Sequence, residues 1–315
     1  MPFDTDSIKW LASRFKDSVK FDEPMSKHTH FKVGGPVDAF IAPENREDLT
    51  QLVIWTGRTG VPLFIIGDGT NLLVKDNGFR GIIVVLEKCT KKIFKRTEKN
   101  QEVIITAPAG AKLRELCSFA IKNGLGGMNY AVGIPGTVGG AITMNAGTAH
   151  GSTEDVLDDV LIMLSDGKTK RMHKNKLGFS YRNLSFGKDL KTHQGRPIIL
   201  EGSFGLYPFD EAVLKEEAEE ILRMRKKKQP VNFPSAGSFF KNPKQGKAAG
   251  RLIDKAGLKG KRIGGAQVSE KHANFIINTG GASASDILEL MAFVQETVFK
   301  TFNIELEPEV KIVGS

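Results

Sequence analysis

Ser238 lies in SAGSFFKNP, residues 235–243, between the flexible pair Ala236-Gly237 and two phenylalanines. A hydroxyl at the edge of an apolar pocket can give or take a proton, with Lys241 and Asn242 at hand to hold a polar ligand. No Gly-x-Ser-x-Gly elbow surrounds it, so the spacing by itself favours a turn serine followed by core aromatics. Arg182 follows a Phe-x-Tyr alternation in FSYRN, residues 179–183, as an arginine projected from a strand. A guanidinium there can grip a carboxylate through two parallel hydrogen bonds, or serve as a plain surface ion-pair partner. Glu309 follows Pro308 in the closing segment IELEPEVKIV. Proline cannot donate to a ladder, so this carboxylate marks a strand edge or bulge, where solvation is its simplest fate. The six histidines have no metal-like spacing, and the two cysteines, Cys89 and Cys117, stand too far apart for a Cys-x-x-Cys pair. No metal site is expected.

Two glycine-rich stretches point to a different chemistry. GIPGTVGGAITMNAG, residues 133–147, carries glycine at 133, 136, 139, 140 and 147 and no charged residue. Gly67-Asp68-Gly69-Thr70-Asn71 follows a predicted strand directly. Glycine lets backbone approach a ligand closely, so that its N–H groups converge on an anion such as a pyrophosphate. The 67–71 loop is not a dinucleotide fingerprint, because its third glycine would have to stand at Leu72, and no Walker lysine follows either loop. Each stretch alone reads as a tight turn; together they favour a bound phosphate-bearing cofactor.

The elements that must position these groups are α+β in character. A chain of 315 residues with 40% hydrophobic and 26% charged residues folds as two or three domains. The net charge of +9 calls for an anionic partner. The basic runs at 91–96 and 223–228 read as solvated faces, and Phe239 and Phe240 are not interleaved with them as a nucleic-acid stacking platform would require. The N-terminus lacks a secretory pattern and no apolar run reaches membrane-spanning length, which predicts a cytoplasmic protein without membrane insertion. Periodicity predicts helices over 8–15, 46–59, 113–124, 210–225 and 286–302. Strands are predicted at 62–67, 81–86 and 102–110, and a strand-turn-strand at 31–41 in which Phe31 and Val33 alternate. In the final strand Glu305, Glu307, Glu309 and Lys311 share one face.

Taken in order, THFKVGG (29–35), GDGTNLLV (67–74), GIPGTVGGAITMNAG (133–147), FSYRN (179–183), GSFFKNP (237–243) and LEPEV (306–310) resemble one family. It is MurB, the UDP-N-acetylenolpyruvoylglucosamine reductases of bacterial peptidoglycan synthesis. The resemblance implies an α+β, FAD-binding fold of the vanillyl-alcohol-oxidase (PCMH) type. Residues 1–85 and 86–205 would form two FAD-binding subdomains, the second joined by the C-terminal strand 304–315, and residues 206–303 a substrate-binding lobe. Gly67, Gly69, Thr70, Asn71 and Leu72 would hold FAD together with Gly133, Ile134, Pro135, Gly136, Gly139, Gly140, Asn145 and Gly147. NADPH would reduce the flavin, and UDP-N-acetylglucosamine enolpyruvate would then be reduced at the same site.

In that chemistry hydride adds to a carbon-carbon double bond conjugated to a carboxylate, and the resulting dianion is the barrier. The resemblance gives Arg182 and Glu309 the stabilising roles and Ser238 the role of proton donor. A carboxylate beside a dianion would repel it, so Glu309 is expected to act protonated. Lys228 and Asn242 would hold the nucleotide diphosphate, with Lys226 and Lys227 as alternatives to Lys228. The segment from Ile199 to Lys228 is short, as in the branch lacking an inserted substrate-covering loop, so no cover is assigned. His28 and His30 vary the polar residues around Thr29 and are expected to alter flavin or adenine contacts. A flavin oxidase of the same fold and a basic nucleic-acid-binding protein are the competing readings.

Overall fold

A computed structural model describes residues 3–89, 92–99, 102–187, 190 and 196–315. Of the basic run at 91–96, Lys91 and the side chain of Arg96 lie outside the described residues. Eight helices are found among the described residues: α1 (Thr5–Phe15), α2 (Arg46–Thr59), α3 (Leu113–Lys122), α4 (Val138–Thr143), α5 (Thr153–Val156), α6 (Glu211–Lys228), α7 (Ala249–Lys255) and α8 (Ala284–Phe302). Local chemistry sets their ends. Asp4, Asn45, Thr137 and Asp210 accept hydrogen bonds from the first turns of α1, α2, α4 and α6, while Gly60, at φ 72°, stops α2. Helix α8 opens with a capping box in which Ser283 and Asp286 satisfy each other's backbone N–H groups. None of these helices is long and apolar enough to cross a membrane.

The first sheet runs in the order Val19–Pro24, Pro36–Ile41, Phe79–Val85, Leu63–Ile66. Its outer pair is antiparallel and the rest parallel. The second is antiparallel, in the order Thr169–His173, Leu157–Met163, Ile198–Pro208, Glu102–Pro108, Phe94–Lys99, with Leu125–Gly126 paired beside Ile198–Pro208. Ile41, Leu49 and Ile82 of the first region share one apolar cluster with Ile105, Leu116 and Val160 of the second. A separate core forms around α7, α8 and the short sheet Arg262–Ile263, Ala266–Val268, Ile276–Asn278.

Two expectations change. Phe31 and Val33 do not lie in a strand: Lys32 donates its N–H to Thr29 O at 3.1 Å in a turn with Lys32 at φ 57°, and both apolar side chains enter the C-terminal core. Their alternation records burial rather than pleating. The closing strand is only Lys311–Val313, and it pairs in parallel with Leu72–Val74, next to the first glycine loop. Strand 304–315 was expected to join the 86–205 region; a long-range pairing that no local pattern encodes places it against residues 72–74 instead.

The C-terminal lobe is also tied to the N-terminal region by polar contacts. Asp76 accepts from the N–H groups of Ala284 and Ser285, each at 2.8 Å, at the start of α8. Asn278 donates its side-chain amide to Phe31 O at 2.9 Å.

Candidate active site

Both glycine-rich stretches line a single cavity of about 1480 Å³, well above the roughly 300–1,000 Å³ that accommodates a drug-sized ligand. Glycine is required there first by the protein itself. A Cβ on Gly67 would lie 2.4 Å from Thr137 Oγ1, so bare backbone lets the two loops touch, and Thr70 Oγ1 donates across to Pro135 O at 3.4 Å. At Gly69, φ 64° and a Cβ position 2.2 Å from His28 O exclude any side chain. The backbone N–H groups of Asp68, Gly69, Thr70, Asn71, Gly133, Gly136 and Thr137 make no hydrogen bond with another described residue. Unpaired N–H groups on glycine-walled, largely uncharged loops are a fit for a dinucleotide pyrophosphate. The ionic group of the first loop, Asp68, is neutralised by a close Lys112.

Arg182 is carried not by a strand but by the tight turn between Gly178–Ser180 and Asn183–Ser185, at φ 57°. Its Nη2 donates to Gly147 O at 3.0 Å, and its Nε lies 2.9 Å from Glu309 Oε1. That approach is an ion pair without hydrogen-bond alignment, so Nε is a buried donor left without a partner. The Tyr181 ring covers the guanidinium at 5.0 Å.

Glu309 is not the solvated edge carboxylate of the simplest reading, since only 14% of its side chain is exposed. Burial pushes its pKa up, and the opposing pull of Arg182 does not cancel this. Its backbone is pinned from two sides, N–H to Phe239 O at 2.8 Å and carbonyl from Asn71 Nδ2 at 3.1 Å.

Ser238 follows Gly237, at φ 76°, on the segment that runs antiparallel to 307–309 through the Phe240–Pro308 bridge. Pro308, which has no N–H, faces Phe240, while Lys241 N–H bonds Glu307 O at 2.9 Å. The geometry therefore brings Ser238 and Glu309 onto adjacent segments. Asn274 holds this segment by accepting from Phe240 N at 3.0 Å and donating to Phe240 O at 2.8 Å. Nothing in its surroundings HANF distinguished it.

A second cavity of about 390 Å³ has Arg182, Ser238 and Glu309 in common with the first. Its other walls include Tyr181, Asn242, Arg251, Lys259, Lys271 and His272. Burial holds the His272 imidazole below its usual pKa. Asn242 lies where expected, but its Oδ1 already accepts from Ala249 N at 3.0 Å at the start of α7. Lys228 sits on the exposed end of α6 and lines neither cavity, whereas Arg225 and Lys226 line the larger one. Within the run RMRKKK nothing in the sequence sets Arg225 apart from its solvated neighbours. Burial lowers its pKa from the ordinary arginine value.

Of the expected flavin contacts, Gly67, Gly69, Thr70, Asn71, Leu72, Gly133, Ile134, Pro135, Gly136, Gly139, Gly140 and Gly147 all line the larger cavity. Asn145 does not; its side chain turns the other way. His30 lines that cavity, and His28 instead stacks on Phe40 at 3.9 Å and bonds Glu23 at 2.9 Å.

Comparison with known proteins gives two matching family models, an FAD binding domain over residues 37–173 and the UDP-N-acetylenolpyruvoylglucosamine reductase C-terminal domain over residues 229–313. A UDP-N-acetylenolpyruvoylglucosamine reductase of Desulfosudis oleivorans is 47% identical over 306 residues, covering 97% of this chain and 98% of that protein. A Clostridium botulinum protein of the same description is 44% identical over 95% of this chain and 93% of its own length. The crystal structure of UDP-N-acetylenolpyruvylglucosamine reductase (MurB) from Thermus caldophilus superposes with a TM-score of 0.76 at 33% identity, covering 93% of this chain and 98% of that one.

Proposed function

The chain belongs to the MurB family of FAD-binding UDP-N-acetylenolpyruvoylglucosamine reductases, and on that premise we propose that it reduces UDP-N-acetylglucosamine enolpyruvate to UDP-N-acetylmuramate at the expense of NADPH. The observation that carries the reading is the meeting of Arg182, Ser238 and Glu309 where a glycine-walled cavity joins a basic one. The resident group belongs in the first and an anionic sugar nucleotide in the second. We place the reaction in the cytoplasm, where the reductant is made.

When bound, FAD would supply the hydride-transfer chemistry that links NADPH to the enolpyruvyl double bond. The backbone of Gly67–Leu72 and Gly133–Gly140 would hold its pyrophosphate. Everything else falls to side chains. The guanidinium of Arg182 lies in a partly dry site, so its attraction for the substrate carboxylate grows as charge spreads into that group. The guanidinium is already aimed by Gly147 O and Glu309.

Glu309 in its acid form would donate a hydrogen bond to the same carboxylate. Burial favours that form, and an arriving anion favours it further. Ser238 supplies the proton to the substrate carbon opposite the hydride. Serine is a weak acid, so it must be held close to the carbon and near positive charge. Asn242, with Arg251 and Lys271 beside it, walls the side on which the nucleotide diphosphate would lie. Lys228, outside both walls, contributes only to the surrounding positive field. In this reading residues 206–303 carry the substrate, and residues 1–205 carry the flavin with Leu72–Val74 and Lys311–Val313 as the join.

An anaerobic absorbance trace tests the proposal. The flavin band of the purified chain should bleach with NADPH and return on addition of UDP-N-acetylglucosamine enolpyruvate. Bleaching without return would leave the flavin protein but reject the substrate, and failure to take up FAD would reject the whole reading.

A further inference from the structure

We propose that Asn145 is a positioning residue for Arg182: it acts on the arginine that meets the substrate rather than on the flavin. The inference rests on the reductase reading above. Asn145 sits among glycines in MNAG and stands at φ 41°, in the left-handed region that side chains rarely adopt. Its neighbours Met144, Ala146 and Gly147 line the larger cavity, but Asn145 does not, and only 7% of it is exposed.

Three of the four hydrogen-bonding positions of its amide are used. Nδ2 donates to Ser180 O at 3.3 Å and to Glu154 Oε2 at 3.2 Å, and Oδ1 accepts from Glu154 N at 3.0 Å. Only an amide supplies two donors and an acceptor in that plane. Ser180 is the last strand residue before the turn Tyr181-Arg182. Two residues beyond Asn145, Gly147 O takes the Nη2 proton of Arg182 at 3.0 Å.

The tripeptide Asn145-Ala146-Gly147 thus holds the hairpin at its stem and its arginine at the tip. Arg182 is itself left-handed, at φ 57°, a conformation that persists only where the surroundings over-determine it. The Asn145 amide ties the stem down at Ser180 O. The same short stretch that lines the larger cavity therefore also positions the guanidinium beside it.

The test uses the full chain with bound FAD and follows the two half-reactions separately by stopped-flow absorbance. Asn145→Gly removes the amide at a φ that glycine accepts freely, so no backbone strain is added. Bleaching by NADPH is expected to change less than about threefold, and recolouring by the enolpyruvyl substrate to slow roughly tenfold to a hundredfold, the scale of a misplacement near 1 Å. In an Arg182→Ala background the same change should cost less than about twofold more, because both act through one group. Asn145→Ser, which keeps a donor, should recover part of the recolouring rate, and carries the test if the glycine variant does not fold.

Normal recolouring in Asn145→Gly, losses additive with Arg182→Ala, or equal loss of both half-reactions together with FAD would each overturn the proposal. The last would return Asn145 to the flavin wall. Absence of recolouring in the parent chain would instead mark failure of the reductase reading.

Discussion

Where the two glycine-rich loops meet, the larger cavity is walled by bare backbone, while charged side chains crowd the smaller one, and the two walls respond to mutation in different ways. At Gly67 and Gly69 a single added carbon meets Thr137 Oγ1 or His28 O at 2.4 or 2.2 Å. Recognition there is steric and depends on close approach. Across the seam, Arg251, Lys259 and Lys271 work through charge, and Arg182 reaches Glu309 at 2.9 Å with a donor to spare. A backbone-built wall should therefore fail as a whole, losing its ligand. A side-chain-built wall should fail in one chemical step while the rest of the cycle survives.

The largest expected effect falls on the side-chain wall. Ser238→Ala should leave FAD bound and NADPH bleaching nearly intact, while recolouring by the enolpyruvyl substrate slows by about 10²–10⁴, the usual worth of a positioned general acid. Rapid-mixing absorbance separates the two steps. Equal slowing of both would mean that Ser238 shapes the flavin wall, and the contrast between the cavities would be lost.

Gly69→Ala tests the other side. With φ 64° and a Cβ position 2.2 Å from His28 O, the variant must shift a loop, at a cost of about 1–3 kcal/mol. FAD content after gel filtration should drop and thermal stability with it, but flavin that remains bound should be reduced and reoxidised at nearly parental rates. A Gly69→Ala protein with full FAD content and slow recolouring would show that the backbone wall also steers the chemistry.

These two walls also differ in how far the chain discloses them. Glycine announces a backbone requirement by its residue type, so the loops at 67–71 and 133–147 were legible, as were α2, α3, α6 and α8 from periodicity and caps. The pairing of Arg182 with Glu309 was not. It depends on a turn at residues 181–182 and on a parallel join between Leu72–Val74 and Lys311–Val313, both long-range outcomes, and only the ordered resemblance to a family supplied the two residues together. Asn145 shows the limit from the other direction. The family resemblance implies a cofactor contact for it, but a left-handed backbone turns its amide to the Arg182 hairpin. The resemblance to the family points to Lys228, while the turn of α6 delivers Arg225 and Lys226 to the cavity.

A smaller effect, of about tenfold, is expected at Glu309, where burial raises the pKa above the usual carboxylate value. The acid form is the working one in the proposed chemistry. The recolouring rate should therefore be highest below the raised pKa and fall as pH rises through it. Stability shifts in the same sense: the folded chain holds this proton more tightly than the unfolded one, so burying Glu309 favours the fold at low pH and that contribution is lost as pH rises through the raised pKa. Glu309→Gln keeps a neutral donor and removes the titration. Its pH profile should lose the alkaline limb, at a rate roughly tenfold below the parent's maximum, comparable with one modest transition-state contact. A limb that survives in Glu309→Gln would belong to another group.

The smallest expected effect concerns the docking of the C-terminal lobe that carries Ser238 and Glu309. Asp76 receives Ala284 N, Ser285 N and Ser285 Oγ at 2.7–2.8 Å. Partial burial pushes its pKa up, but these hydrogen bonds outweigh that and hold it below the usual carboxylate range. Its stabilisation is present above the ordinary pKa of aspartate and is lost as pH falls through the lowered value. Because the group is exposed, Asp76→Ala should cost only about 1 kcal/mol in chemical denaturation at neutral pH, as for a helix cap, and the gap from the parent should close in acid. Catalysis should hardly notice. Glu309 is fixed to the 71–74 segment independently by Asn71 Nδ2 at 3.1 Å and by the Leu72–Val74 pairing, and Phe31 O by Asn278 at 2.9 Å. If Asp76→Ala slowed recolouring more than about twofold while sparing NADPH bleaching, the side-chain wall would depend on lobe docking as well as on local contacts, because the tether that failed touches neither cavity.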